Sequence, residues 1–66
     1  MWYVLNFKNH KFHSATYAEE AAKIAKEEIE DYLLEEDDIE IVDASDVYAR
    51  YDYATFVATW ISPDEN

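Results

Sequence analysis

From Tyr17 to Leu34 the chain contains no Gly, no Pro and no β-branched run, so nothing in this stretch interrupts a helix. At about 100° per residue, Tyr17, Ala18, Ala21, Ala22, Ile24, Ala25, Ile29, Tyr32 and Leu33 share one half of the cylinder. Glu19, Glu20, Lys23, Lys26, Glu27, Glu30 and Asp31 occupy the other half. Thr16-Tyr17-Ala18-Glu19 matches a capping box, with Thr16 as N-cap and Glu19 reaching back. A helix with one apolar stripe has to bury it against another element. Alanines in the middle of that stripe predict close approach to a sheet. Glu28 alone breaks the stripe, and is expected to reach water near one end or to pair with a Tyr hydroxyl or Arg50.

The flanking segments supply the sheet. Residues 2–7 alternate, with Tyr3, Leu5 and Phe7 on one face and Trp2, Val4 and Asn6 on the other. Asn9-His10 is read as a two-residue hairpin turn, which sets Phe7 opposite Phe12. After the helix, residues 38–43 read as a strand with Ile39 and Ile41 inward. Tyr53 to Ile61 alternates strongly and reads as another strand, ended by Pro63 ahead of the tail Asp64-Glu65-Asn66. Residues 44–52 fit either a strand or a single helical turn, and the strand is favoured because Val47, Ala49 and Tyr51 alternate. The expected fold class is α+β, order β(β)αββ. It is a small antiparallel sheet of three to four strands with one amphipathic helix on one face, in a single domain over residues 1–66. One helix covers one face, so the aromatics of the other would await a partner.

Half of the 66 residues are hydrophobic and 17% are aromatic, more than a disordered acidic tail carries. Trp2, Phe7, Phe12, Phe56 and Trp60 are the large core candidates. No apolar run approaches the ~20 residues of a membrane span, and the N-terminus lacks the pattern of a signal peptide. A cytoplasmic location is the default expectation.

The formal net charge is −11. Its whole excess lies between residues 27 and 46, which hold eleven acids and no Lys or Arg; elsewhere five acids balance five bases. The acids are Glu27, Glu28, Glu30, Asp31, Glu35, Glu36, Asp37, Asp38, Glu40, Asp43 and Asp46. Acids crowding a helix C-terminus are disfavoured by ~0.3–1 kcal/mol each. Neither Gly nor Asn is present there as a cap. Solubility needs a net charge magnitude of only ~2–8, and does not require clustering. Local rules tend to be broken at functional sites. One DNA strand carries a charge about every 3.4 Å of axis. Glu27, Glu28, Glu30 and Asp31 span about 7 Å of helix at ~1.5 Å per residue, so these carboxylates can imitate a run of phosphates.

Catalytic and metal chemistry find little support. With no Gly, phosphate-cradling loops and dinucleotide fingerprints are excluded, and with no Cys there is no thiol nucleophile or thiolate site. His10 and His13 are read as exposed turn residues rather than ligands, being flanked by Lys8 and Lys11. Glu35-Glu36-Asp37-Asp38 lacks the alternating ligands and the Gly of an EF-hand loop. No cofactor, no metal site and no enzymatic activity are expected. Tyr48, Arg50, Tyr51 and Tyr53 are residue types enriched at interfaces, alongside a solvated sheet face as the plainer reading.

In length, net charge, α/β pattern and lack of a catalytic motif, the chain resembles phage-encoded inhibitors of host defence, among them anti-CRISPR and anti-restriction proteins. The resemblance is one of profile, and no site residue is carried over from it. It implies an inhibitor that occludes the nucleic-acid groove of a basic protein or complex, without binding nucleic acid or membrane itself. The expected contact residues are Glu27, Glu30, Asp31, Glu35, Glu36, Asp37, Asp38, Glu40, Asp43, Asp46, Tyr48, Tyr51 and Tyr53. Two alternatives stand beside it. One is a structural or accessory homo-oligomer, a homodimer for instance, using the aromatic face. The other is an antitoxin-like partner of a basic toxin.

Overall fold

A computed structural model describes residues 1–61, with Tyr48 and Ile61 described in their backbone alone. Pro63 and the tail 64–66 lie outside the described residues. Strands β1 (Trp2–Asn6) and β2 (Lys11–Ala15) form an antiparallel hairpin, and helix α1 (Ala18–Tyr32) follows. A 3-10 turn (Glu36–Asp38) leads into β3 (Ile39–Asp43), which pairs antiparallel with β1. The sheet order is β2-β1-β3, with β1 in the centre. The fold is α+β, as the sequence predicts.

The C-terminal third corrects the expectation. Residues 44–61 form no strand. They form α2 (Ala44–Arg50), then α3 (Tyr53–Phe56), which runs on into a π-helical turn (Val57–Ile61). Asp43 starts α2 by accepting from the Ser45 backbone N–H at 3.0 Å, while Arg50 sits in the favourable last turn. At the start of α3, the Asp52 carboxylate accepts from the Thr55 hydroxyl at 3.0 Å, and its carbonyl accepts from the Phe56 N–H at 2.8 Å. The spacing i, i+4 joins Val47 to Tyr51 and Phe56 to Trp60, and this helical period prevails over the period of two.

These helices cover the sheet face opposite α1. Leu5, Val42, Val47, Phe56 and Trp60 form a buried cluster there, with Tyr3, Phe12 and Tyr51 packed against it. Tyr3 lies 5.1 Å from Phe12 and 5.6 Å from Phe56 between ring centroids, and Phe12 meets Phe56 edge-on at 6.1 Å. The aromatic face expected to await a partner is therefore filled by the chain's own helices. Replacing Phe56 by Ala should remove ~3–5 kcal/mol, comparable with the whole stability of a domain this small.

On the other face, Val4, Ala15, Ala21 and Ala25 are buried together, flanked by Trp2, Ile24 and Ile39. Ala21 and Ala25 give the close helix–sheet approach the sequence predicts. The buried stripe is narrower than the apolar half-cylinder, since Tyr17, Ala18, Ala22, Tyr32 and Leu33 stay exposed. Its next member, one turn on from Ala25, is Glu28, only 9% exposed. Glu28 Oε1 accepts from the Asn6 amide at 2.9 Å, and its other oxygen lies 3.4 Å from His13 Nε2. Neither a Tyr hydroxyl nor Arg50 is the partner. His13 is a strand residue, half-buried beneath α1, rather than part of an exposed turn.

Three local details also differ. The hairpin pairs Leu5 with Phe12 and Asn6 with Lys11, so the loop is the four residues Phe7 to His10. Its closure uses Asn6, whose side-chain oxygen accepts from the Asn9 N–H at 3.0 Å, and His10 at φ 55°. Phe7 is exposed and meets Trp60 edge-on at 5.4 Å, while His10 stacks on Trp60 at 4.6 Å. At the start of α1 the cap falls one residue later than expected. Tyr17 is the N-cap, and Glu20 rather than Glu19 accepts from the Thr16 and Tyr17 N–H groups at 3.1 and 3.4 Å. Within β3, Val42 is the innermost residue and Ile41 is 37% exposed, where the sequence put Ile39 and Ile41 inward.

Candidate protein-binding surface

The acidic segment enters the fold as the C-terminal half of α1, the 3-10 turn, β3 and the first turn of α2. Helix α1 ends without Gly because Leu33 takes the left-handed conformation, φ 56° and ψ 49°. The N–H groups of Leu33 and Leu34 then both turn back on the Ile29 carbonyl. This sharp exit carries Glu35 to Asp38 off the end of α1. Glu36, Asp37 and Asp38 instead form the first turn of a new 3-10 helix, so they escape the unfavourable end of the α1 dipole. Glu30 and Asp31 do remain in the last turn of α1, with no base beside them there.

Four of the eleven acids are taken up by the structure itself. Glu28 is buried beneath α1. Glu40 faces the second sheet surface, where it pairs with Arg50 and accepts from the Tyr51 hydroxyl at 2.9 Å. Burial pushes the Tyr51 hydroxyl pKa up; the hydrogen bond and charge of Glu40 add to this, and Arg50 opposes it. Asp43 accepts from both the backbone N–H and the hydroxyl of Ser45, the backbone bond doing most to hold its carboxyl below the usual value. Asp38 is half-buried, and its side chain accepts from the Glu35 N–H at 3.0 Å.

The remaining seven are Glu27, Glu30, Asp31, Glu35, Glu36, Asp37 and Asp46. All are exposed, and none forms an ion pair among the described residues. Lys23 and Lys26 stand one helical turn before Glu27 and Glu30 without bridging to them. Glu27 also lines a shallow open hollow of about 410 Å³ between α1 and β2, with Ser14, Glu20, Lys23 and Ile24.

The aromatic candidates separate. Tyr51 turns inward onto Phe56, at 5.4 Å between centroids, and onto Glu40. Tyr53 begins α3 and is exposed. The side chain of Tyr48 lies outside the described residues. Glu40, Asp43 and Tyr51 thus join α2 to β3, and the seven exposed acids stand apart from these contacts. The Asn6–Glu28–His13 cluster beneath α1 is the polar feature that sequence reasoning missed. Its signal was the single acid in the apolar stripe, together with Asn6 and His13 alternating onto the same sheet face.

Among the described residues, no helix is long and apolar enough to cross a membrane. No family model, curated protein or solved structure matches the chain.

Proposed function

We propose that this chain is an acidic binding protein that inhibits a basic, nucleic-acid-binding partner by occupying its nucleic-acid groove. CRISPR effectors and restriction enzymes are the class of target. The observation that carries the reading is the set of seven exposed acids spread over α1, the 3-10 turn and α2, which form no ion pair among the described residues. Clustered carboxylates can shed their own counterions on meeting a Lys/Arg groove, as phosphates do, and they steer the encounter at low salt. The mechanism is occlusion and involves no bond-making step. The acids that hold the fold, Glu28, Glu40 and Asp43, are separate from those that would meet a partner, so recognition and stability can be varied independently. The homo-oligomer alternative drew on an uncovered aromatic face, and α2 and α3 cover that face.

The test is capture of host proteins on the tagged chain after nuclease treatment, with elution by competing duplex DNA or by raised salt. Elution of a nucleic-acid-binding protein by both is the expected result. Capture that resists both duplex and salt would count against the reading.

A further inference from the structure

With helices on both faces, the sheet meets solvent at its edges, and β3 is an edge strand paired with β1 alone among the described residues. Its hydrogen-bonding phase follows from the bonds at either end. The Phe7 N–H donates to the Asp38 carbonyl at 2.8 Å, and the Ala44 N–H donates to the Met1 carbonyl at 2.9 Å. Bonded pairs alternate along an antiparallel ladder, so Glu40 and Val42 are the β3 residues that bond β1. The backbone groups of Ile39, Ile41 and Asp43 therefore aim outward. The Ile39 N–H is used by the Glu36 carbonyl. The Asp43 carbonyl, at the N-cap, faces the first turn of α2. What remains is the Ile39 carbonyl, both groups of Ile41 and the Asp43 N–H, enough to bond one short added strand.

Natural edge strands are often blunted by charged side chains, Pro or a bulge. Ile39–Asp43 has no Lys, Pro or bulge, its register with β1 is unbroken, and Ile41 is partly exposed at its centre. Its two acids are engaged within the chain, Glu40 by Arg50 and Tyr51 and Asp43 by Ser45. Acids stand at both ends of the open stretch: Glu35, Glu36 and Asp37 before it, Asp46 after it. A second copy is a poor occupant. Antiparallel self-pairing through Ile41 would set Glu36 against Asp46 and join two chains of net charge −11 each.

We infer that the β3 edge takes up an extended segment of a protein partner as a fourth strand, with apolar residues alternating at its centre and Lys or Arg at both ends. This rests on the basic-partner reading above and adds to it a backbone contact that charge alone does not make.

The probe is a synthetic peptide with a Val-Thr-Val-Thr core flanked by Lys-Arg pairs, added to the isotope-labelled full chain. Two further versions carry N-methyl groups on one or the other alternating set of core amides. The parent peptide should slow exchange of the Ile41 and Asp43 amides by roughly tenfold, and one methylated version, but not the other, should lose this effect. Ile41→Pro should abolish the protection at Asp43 while keeping the β1–β3 ladder, because the Ile41 N–H points away from β1. Equal binding of all three peptides without amide protection would overturn strand addition and leave the acidic-surface reading intact. Failure of every peptide to bind would also overturn strand addition, whereas the basic-partner reading stands or falls on the duplex-competed capture.

Discussion

Removing the Asn6 side chain tests the least expected feature of the interior, a carboxylate beneath α1. Asn6 is 0% exposed and Glu28 is 9% exposed, so water has little access to replace a lost partner. A hydrogen bond to a charged group contributes ~1.5–3 kcal/mol. Asn6→Ala loses that bond and also the bond from Asn9 that shapes the hairpin loop, a further ~0.5–1.5 kcal/mol. Glu28→Ala leaves the Asn6 amide buried without its acceptor, at ~1–3 kcal/mol. Asn6→Ala should therefore be the more damaging change by ~1–1.5 kcal/mol, a melting temperature lower than that of Glu28→Ala by roughly 4–12 °C for a domain of this size. The double variant should cost less than the sum of the singles by ~1.5–3 kcal/mol, because once one partner is gone the other has nothing left to lose. Urea denaturation followed by circular dichroism, in an osmolyte that keeps the single variants folded, measures all four corners. Additivity within ~0.5 kcal/mol would refute the buried bond.

Other perturbations separate the remaining forces. Leu33→Gly should raise stability, since Leu33 is 82% exposed and a non-Gly residue in the left-handed region is strained by ~1–2 kcal/mol. After the extra freedom Gly gives the unfolded chain, a net gain of ~0.5–1 kcal/mol is expected by calorimetry, whereas Leu33→Ala should give none. The lowered Asp43 pKa contributes stability that is present above the ordinary carboxylate value and lost as pH falls through the folded one. Asp43→Ala should therefore flatten the acid limb of the stability–pH curve. The raised Tyr51 pKa contributes stability below about pH 10 that is lost as pH rises through the folded value, a loss that Tyr51→Phe should remove from the alkaline limb. Sodium chloride should raise the wild-type melting temperature by screening self-repulsion, and a melting temperature that falls or stays level with salt would contradict this.

The helix and the hairpin were legible because their periods are long and unambiguous. Nothing between Ala18 and Tyr32 competes with the helix, and β1 alternates without interruption. The C-terminal third was misread because Tyr, Thr, Val, Phe and Trp favour strands by propensity, and a period of two over residues 53–61 sets Phe56 and Trp60 on one face. The opposing signal was short-range: Asp43 two residues before Ser45, whose N–H its side chain caps, and Asp52 three before Thr55, whose hydroxyl its carboxylate accepts from. The loop is two residues longer than expected, which shifts the register by two, and His10, rather than a Gly, adopts the positive φ. The acidic segment was legible as a charge but not as a surface. Which acids are spent on pairing or burial depends on Arg50 and Asn6, which only the folded chain brings to Glu40 and Glu28.

If the exposed acids bind in place of nucleic acid, reversing charge at Glu30, Asp31, Glu36 and Asp37 to Lys should remove affinity for the captured partner, measured across a salt series. All four side chains are exposed and hold no ion pair among the described residues, so the variant should melt no lower than the wild type. The wild type should lose affinity steeply as salt rises, with duplex DNA competing, and the variant should show no binding at any salt. Undiminished binding by a folded variant would contradict the account.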